Sequence, residues 1–273
     1  MPKFATNLSM MFGETTFLDR FAAARAARFD AVEFLFPYAF EPEQIAQRLA
    51  RYQLQLVLFN LPAGDWTAGE RGIACDPRRI GEFQDGVELA LDYADDLGVT
   101  QLHCLAGKVP PNVPHERAHD TCIANLKFAA AACGEHGLRL LIEPINTFDI
   151  PGYFLSGSRQ ALAIIDECGA DNLFLQYDIY HMQRMEGELA NTIRANLARI
   201  GHIQLADNPG RHEPGTGEIN YPYLFGVLDE IGYDGWIGCD YLPGGDTVAG
   251  LAWRDRWLPG QPQAHQQQPK APT

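Results

Sequence analysis

At 273 residues, with 46% hydrophobic and 21% charged side chains, the chain has the length and composition of one globular domain with a sizeable core. A formal net charge of −14 repels phosphate backbones, and no run approaches 18 uninterrupted apolar residues, which argues against nucleic-acid and membrane partners. The opening MPKFATNLSMMFGE carries no secretory pattern, and Cys75, Cys104, Cys122, Cys133, Cys168 and Cys239 lack CxxC spacing. Reduced, buried thiols and a cytoplasmic location are the expectation.

In chain order, the apolar periodicity predicts a strand over Phe4–Met10, a helix over Phe17–Ala27 and a strand over Ala31–Phe36. A helix (Pro42–Tyr52), strand (Gln55–Asn60), helix (Ile80–Leu97) and strand (Gln101–Gly107) follow. Next come a helix (Glu116–His136), strand (Arg139–Asn146), helix (Arg159–Cys168) and strand (Leu173–Ile179). The series ends with a helix (Leu189–Arg199), strand (Gly201–Ala206), helix (Tyr221–Ile231) and strand (Gly235–Tyr241). Strict alternation implies a parallel sheet, and the length is near the roughly 250 residues of a closed barrel. An open doubly wound sheet would carry a glycine-rich turn after its first strand, where this chain has Ser9–Glu14 without GxGxxG. The expected architecture is therefore an α/β, single-domain (β/α)8 TIM barrel over residues 1–258. Residues 259–273, rich in Gln and Pro, are expected to form a disordered tail.

Chemistry in such a barrel sits at the C-terminal ends of the strands, so polar residues there are the candidates. Strand two carries Glu33; strand five contains LIEPIN, strand six QYDIYH, strand seven HIQLAD and strand eight IGCDY. A carboxylate in a buried strand is costly unless paired, hydrogen-bonded or bound to a cation. Glu143, Asp178, Gln204 and Asp240, from four consecutive strands, suggest one divalent-cation site. All-oxygen donors favour Mg2+ or Mn2+ over zinc. A hydrogen-bonded polar layer without metal is the plain alternative.

His181, three residues past Asp178, is expected in a loop outside the cation's ligands. His103 reads either as a pocket residue or as a satisfied core histidine. A small anionic substrate in so acidic a chain needs local positive charge. Lys108, Arg71 and Arg211 are the candidates, although each taken singly reads as a solvated surface charge. The loop over residues 60–77 exceeds ordinary connections and leans towards the site, with Trp66 a candidate to exclude water. The 207–221 segment reads as a polar loop, or as a lid whose Arg211, His212 or Glu213 touches ligand.

Several stretches carry a family resemblance: FATNLSMMF, AVEFLFPY, LVLFNLPAGDW with GERGIACDP, LIEPIN with DIPGYFL, QYDIYHMQRMEG, IQLADNPGRHEPGTGEINYP and GYDGWIGC. From about Phe4 to Trp257 the chain resembles the hydroxypyruvate isomerase family of xylose isomerase-like barrels. Arg71, Lys108 and the IEPIN and QYDIYHMQRMEGEL segments lean towards its 2-oxo-tetronate isomerase branch. The resemblance implies isomerisation of a small hydroxy-keto acid, either 2-oxo-tetronate to 3-oxo-tetronate or hydroxypyruvate to tartronate semialdehyde. It further implies proton exchange by Glu143 and the strand-eight acid, with Glu143, Asp178, Gln204 and that acid binding Mg2+. The family has glutamate in strand eight where this chain has Asp240. The missing methylene retracts the carboxylate by about 1.5 Å, and a misplacement of about 1 Å costs on the order of 10²-fold in rate.

Proton transfer through a metal-stabilised enediolate is the expected mechanism, with hydride shift as its rival. Two further classes compete. Metal-dependent DNA hydrolysis wants a multi-zinc His/Glu cluster and a basic face, which the charge disfavours. A non-catalytic or impaired sugar-acid-binding barrel is prompted by Asp240. Whether the metal is obligatory, and whether the chain forms a homo-oligomer, the sequence leaves open.

Overall fold

A computed structural model describes residues 1–258; the expected tail lies outside the described residues. Eight strands close into a barrel in chain order: β1 (Lys3–Asn7), β2 (Ala31–Glu33), β3 (Gln55–Asn60), β4 (Gln101–Cys104), β5 (Arg139–Ile142), β6 (Leu173–Asp178), β7 (Ile200–Leu205) and β8 (Trp236–Cys239). Every neighbouring pair is parallel, including the β1–β8 pair that seals the sheet. The single-domain α/β barrel expected from alternation is the fold.

Seven helices occupy the expected stretches: α1 (Phe17–Ala26), α2 (Pro42–Tyr52), α3 (Ile80–Leu97), α4 (His115–Glu135), α5 (Ser158–Cys168), α7 (Leu189–Asn196) and α8 (Tyr221–Glu230). Local chemistry sets their ends. Pro42 begins α2, where its missing N–H costs nothing, and Gly98 and Gly169 close α3 and α5 in the left-handed conformation. Helix α6 (Ile179–Met185), whose first residue was expected to end a strand, and a 3-10 helix over Ala249–Trp257 were not predicted. No helix among the described residues is long and apolar enough to cross a membrane. All six cysteines are buried and free.

Several strands are shorter than expected, and the residues cut off become site loops. At β1, the N–H groups of Met10 and Met11 turn back to the Asn7 carbonyl instead of extending the ladder. At β6, the Asp178 carboxylate accepts from the N–H groups of Tyr180 and His181, capping α6 immediately after the strand. His181 therefore lies on a helix, not in the expected loop.

Inside the barrel, Ala5, Ala31, Val57, Leu58 and Leu141 form a small apolar layer, flanked by Phe174 and Trp236. A register shift between β2 and β3 makes Val57 the extra residue, which brings both Val57 and Leu58 into that layer. Side chains repeat on a strand face every two residues. The layer above Ala5, Ala31, Leu58 and Leu141 is accordingly Asn7, Glu33, Asn60 and Glu143, all buried. An apolar floor thus carries a polar storey on the same inward faces.

Candidate active site

Glu33 crosses the barrel interior. Its Oε2 lies 2.7 Å from His202 Nε2, and its Oε1 accepts from Gln204 Nε2 at 2.7 Å. The crossing requires Gly238: a Cβ there would lie 2.4 Å from both Glu33 oxygens. Because a carboxylate only accepts, Gln204 must turn its amide nitrogen to Glu33 and its oxygen outward. Gln176 Nε2 then donates to Gln204 Oε1 at 2.7 Å, leaving Gln176 Oε1 buried without a donor.

Asp240 is held from two sides. Asn7 Nδ2 donates to Oδ1 at 2.7 Å and the Arg211 guanidinium to Oδ2 at 2.6 Å. The Asn7 amide is oriented by Ser9, whose N–H donates to Oδ1. Burial raises the Asp240 carboxyl pKa and Glu33 adds to the rise, while Arg211 opposes it. Burial works against the charge on Arg211, but Asp240 and Asp178 more than offset it, so its pKa is raised.

Glu143 accepts no hydrogen bond from the described residues. His103 Nε2 stands 3.6 Å from its Oε2 and His181 Nε2 stands 3.8 Å from its Oε1. Burial, then repulsion from Asp178 and Asp240, pushes its pKa well above the carboxylate range. Burial and Asp240 likewise push Asp178 up to about 7. Asp178 Oδ2 is buried without a donor and 3.8 Å from His181 Nε2. Glu143, Asp178 and His181 present ligand atoms within 4.8 Å of one another, the one such grouping of three metal-capable side chains among the described residues.

Burial favours the neutral ring at both histidines. Burial, then His202, pushes His103 down to about 3, and burial with Arg211 and Arg184 pushes His181 well below its usual value. Asn60 Oδ1 lies 3.1 Å from His103 Nδ1, which places the ring proton there and turns the bare Nε2 towards Glu143. That Nε2 has no partner, so His103 is not a satisfied core histidine.

Among these groups lies a cavity of about 240 Å³, smaller than the usual range for drug-sized ligands, which neither Asp178 nor His202 lines. Glu143, Gln204, Asp240, His103, His181, Arg71 and Arg211 all line it. Arg71 lies 3.9 Å over the Trp66 ring and donates to the carbonyls of Trp66 and Glu70. Trp66 lines the same cavity and packs edge-on against Phe36, which assigns the long 60–77 loop to the site.

Lys108 departs from expectation. It is exposed, its ammonium donates to the Gly69 carbonyl at 2.9 Å, and it does not line the cavity. It fastens the loop rather than facing a substrate. Of the lid candidates, only Arg211 reaches the cavity; His212 Nδ1 meets the Leu242 carbonyl and Glu213 accepts from the Gly244 N–H. Site residues missing from the sequence prediction are Asn7, Asn60, Asn146, Gln176 and His202, with Glu33 noticed but given no role. Gln176 and His202 each stand two residues before a chosen candidate on the same strand face, a signal that was there to use.

The sequence model of the xylose isomerase-like TIM barrel matches residues 21–257. Hydroxypyruvate isomerase of Escherichia coli (strain K12) is 54% identical over 255 residues, covering 93% of this chain and 99% of that protein. 2-oxo-tetronate isomerase of Cupriavidus necator is 50% identical over 258 residues, covering 94% and 99% respectively. A crystal structure described as AP endonuclease, family 2, from Brucella melitensis aligns with a TM-score of 0.92 at 45% identity. That alignment covers 94% of this chain and 99% of that one.

Proposed function

Because this chain belongs to the hydroxypyruvate isomerase family of xylose isomerase-like TIM barrels, we propose that it isomerises a small 2-keto hydroxy acid of three or four carbons. The two relatives bearing the alternative substrates stand at 54% and 50% identity, so the proposal spans hydroxypyruvate and 2-oxo-tetronate. One observation carries it above the rest. Glu143 after β5 and Asp240 after β8 line a single small cavity that also holds two guanidinium groups, Arg71 and Arg211.

Isomerisation moves a carbonyl one carbon along. Glu143, free of hydrogen-bond donors, takes the proton from the hydroxyl-bearing carbon, and the released pair moves onto the carbonyl as an enediolate forms. Asp240, fixed between Asn7 and Arg211, is the second acid, through which a proton reaches the former carbonyl carbon. The remaining hydroxyl proton passes between the two oxygens. Arg71, stacked on Trp66, holds the substrate carboxylate, and Arg211 adds positive charge beside it.

The donor set fits a divalent cation. Asp178 Oδ2 has no donor, Glu143 accepts none, and their mutual repulsion is a cost that a cation relieves. Glu143, Asp178 and Gln204 would hold it, with Asp240 and Gln204 contributing lone pairs their hydrogen bonds leave free. When bound, Mg2+ or Mn2+ supplies positive charge to the substrate oxygens as negative charge develops on them. The free, buried cysteines support a reducing, cytoplasmic setting.

A nuclease reading, which the name of the Brucella structure raises, finds less support. The one metal-capable grouping among the described residues contains a single histidine, and the chain's net charge is −14. Turnover of hydroxypyruvate and four-carbon 2-oxo acids in D2O, with and without chelator, tests the proposal. The expected result is deuterium in the product, activity lost to chelator and activity restored by Mg2+ or Mn2+. No turnover of any such acid refutes it; product free of solvent label points to hydride shift instead.

A further inference from the structure

Asn146 sits in the loop after β5 with an amide whose orientation is forced. Its Oδ1 accepts from the N–H groups of Phe148 and Asp149 at 3.1 and 2.8 Å. Neither main-chain group can accept, so the oxygen belongs on that side and Nδ2 on the other. Nδ2 donates to Asp149 Oδ2 at 2.9 Å and stands 2.7 Å from His181 Nδ1. A donor at 2.7 Å leaves Nδ1 only the acceptor role, and the single proton of the ring must sit on Nε2. The doubly protonated ring is excluded by the same geometry, since it would set N–H against N–H.

Nε2 is the atom that faces the carboxylates, 3.8 Å from Glu143 Oε1 and from Asp178 Oδ2. Metal ligation by imidazole uses a bare nitrogen, and here the nitrogen in reach carries a proton. We propose that Asn146 selects the cation: by locking His181 as an N–H donor, it keeps the one imidazole grouped with both Glu143 and Asp178 out of the ligand set. Within that grouping, which His103 does not join although its Nε2 stands 3.6 Å from Glu143, the ligands that remain are oxygens, which favour hard cations; a histidine nitrogen among them would favour zinc. The locked N–H is then available to a substrate oxygen between the two carboxylates. This inference rests on the proposed cation site, but the state of the ring does not.

Asn146→Asp is the informative variant. A carboxylate still accepts from the N–H groups of Phe148 and Asp149 but loses the donation to Asp149 Oδ2, while its second oxygen now accepts from Nδ1–H and frees Nε2. Nitrogen NMR of the metal-free, 15N-histidine-labelled full chain should show His181 protonated at Nε2 in the wild type and at Nδ1 in the variant. Competition between Zn2+ and Mn2+ for the same protein should shift towards Zn2+ by at least tenfold in Asn146→Asp. Adding His181→Asn should abolish that shift, and His181→Asn alone should leave wild-type Zn2+ affinity within about twofold. A wild-type ring protonated at Nδ1 overturns the proposal even if the variant fails to fold. A switched ring with an unchanged Zn2+ to Mn2+ ratio overturns the selectivity role, as does a large loss of Zn2+ affinity in His181→Asn. A chain that takes up neither cation refutes the cation site and selectivity together, and the spectrum still reports the ring.

Discussion

Asp240 Oδ2 and the Arg211 guanidinium meet at 2.6 Å, joining the end of β8 to the loop after β7. Asn7 takes the other carboxylate oxygen. The aspartate arm thus has one donor on each carboxylate oxygen, from groups that reach it. Asp240→Asn keeps the shape but sets an amide nitrogen or an uncharged oxygen against Arg211. We expect kcat/KM to fall by at least about 10²-fold, measured by steady-state turnover. Asp240→Glu should stay within about tenfold of wild type. A loss as large as that of Asp240→Asn would show that the site is built around the shorter arm.

Glu143→Gln retains volume and removes the carboxylate proposed as the base. Proton-transfer groups contribute on the order of 10²–10⁴-fold, so kcat should fall by about 10³-fold or more, with substrate-dependent exchange of deuterium from solvent lost in parallel. Exchange that persists at the wild-type rate would assign the first proton transfer to another group.

Arg71 and Lys108 should separate cleanly. Arg71→Ala removes a guanidinium from the cavity wall, and KM for the acid should rise about 10-fold to 10²-fold with a smaller change in kcat. Lys108→Ala loses one exposed hydrogen bond to Gly69 and should leave kcat/KM within about threefold. Steady-state kinetics on both variants checks this; equal KM defects would return Lys108 to the substrate site.

Asp178 gives the metal-free protein a definite pH signature. Its folded pKa lies near 7, above the unfolded value, so the folded state binds the extra proton. Its contribution is therefore fully present below about pH 4 and is lost as pH rises through about 7. His103 and His181, with lowered values, act oppositely and lose stability as pH falls below about 6.5. Comparison with Asp178→Asn isolates the carboxyl, since asparagine can still cap α6. With chelator present, the variant should gain on wild type by on the order of 2–4 kcal/mol between pH 4 and 8 in urea titrations. A pH-independent difference would contradict the raised pKa.

Gly238→Ala should be damaging out of proportion to its size. The added methyl would overlap Glu33, whose displacement breaks the bonds to His202 and Gln204. We expect a loss of about 2 kcal/mol or more in stability, the scale of a buried polar group left unpaired, together with weaker binding of Mn2+ by calorimetry. Wild-type stability would mean that the strand shifts to make room.

Much of the fold was legible because its helices repeat apolar residues at three- and four-residue steps over 10 or more positions, as α2 and α3 do. Helix α6 was not, since its seven residues start directly from the Asp178 cap and their apolar members continue the strand pattern. That Glu143, Asp178 and Asp240 stand out as buried strand-end carboxylates was legible from the cost of burying charge. The second tier was harder. Which amide nitrogen Glu33 would claim, and hence which way Gln204 and Gln176 turn, depends on contacts between strands that lie far apart in sequence. The same holds for Lys108, whose position at a strand end says nothing of the Gly69 carbonyl within its reach.

The 60–77 loop is tethered along its whole length. The Leu61 N–H meets the His103 carbonyl, Gly72 and Cys75 pair with the segment around Ala106, Asn125 holds the Ala74 carbonyl, and Lys108 holds Gly69. Gly72, at φ +104°, lies so close to Leu105 that a Cβ would sit 2.2 Å from its carbonyl oxygen. Such a segment loses its freedom once, when the chain folds, and not again at each encounter with a molecule from solution. The entrance wall bearing Trp66 and Arg71 is therefore in place on arrival, so capture should be governed by diffusion and charge rather than by waiting for a flap to settle.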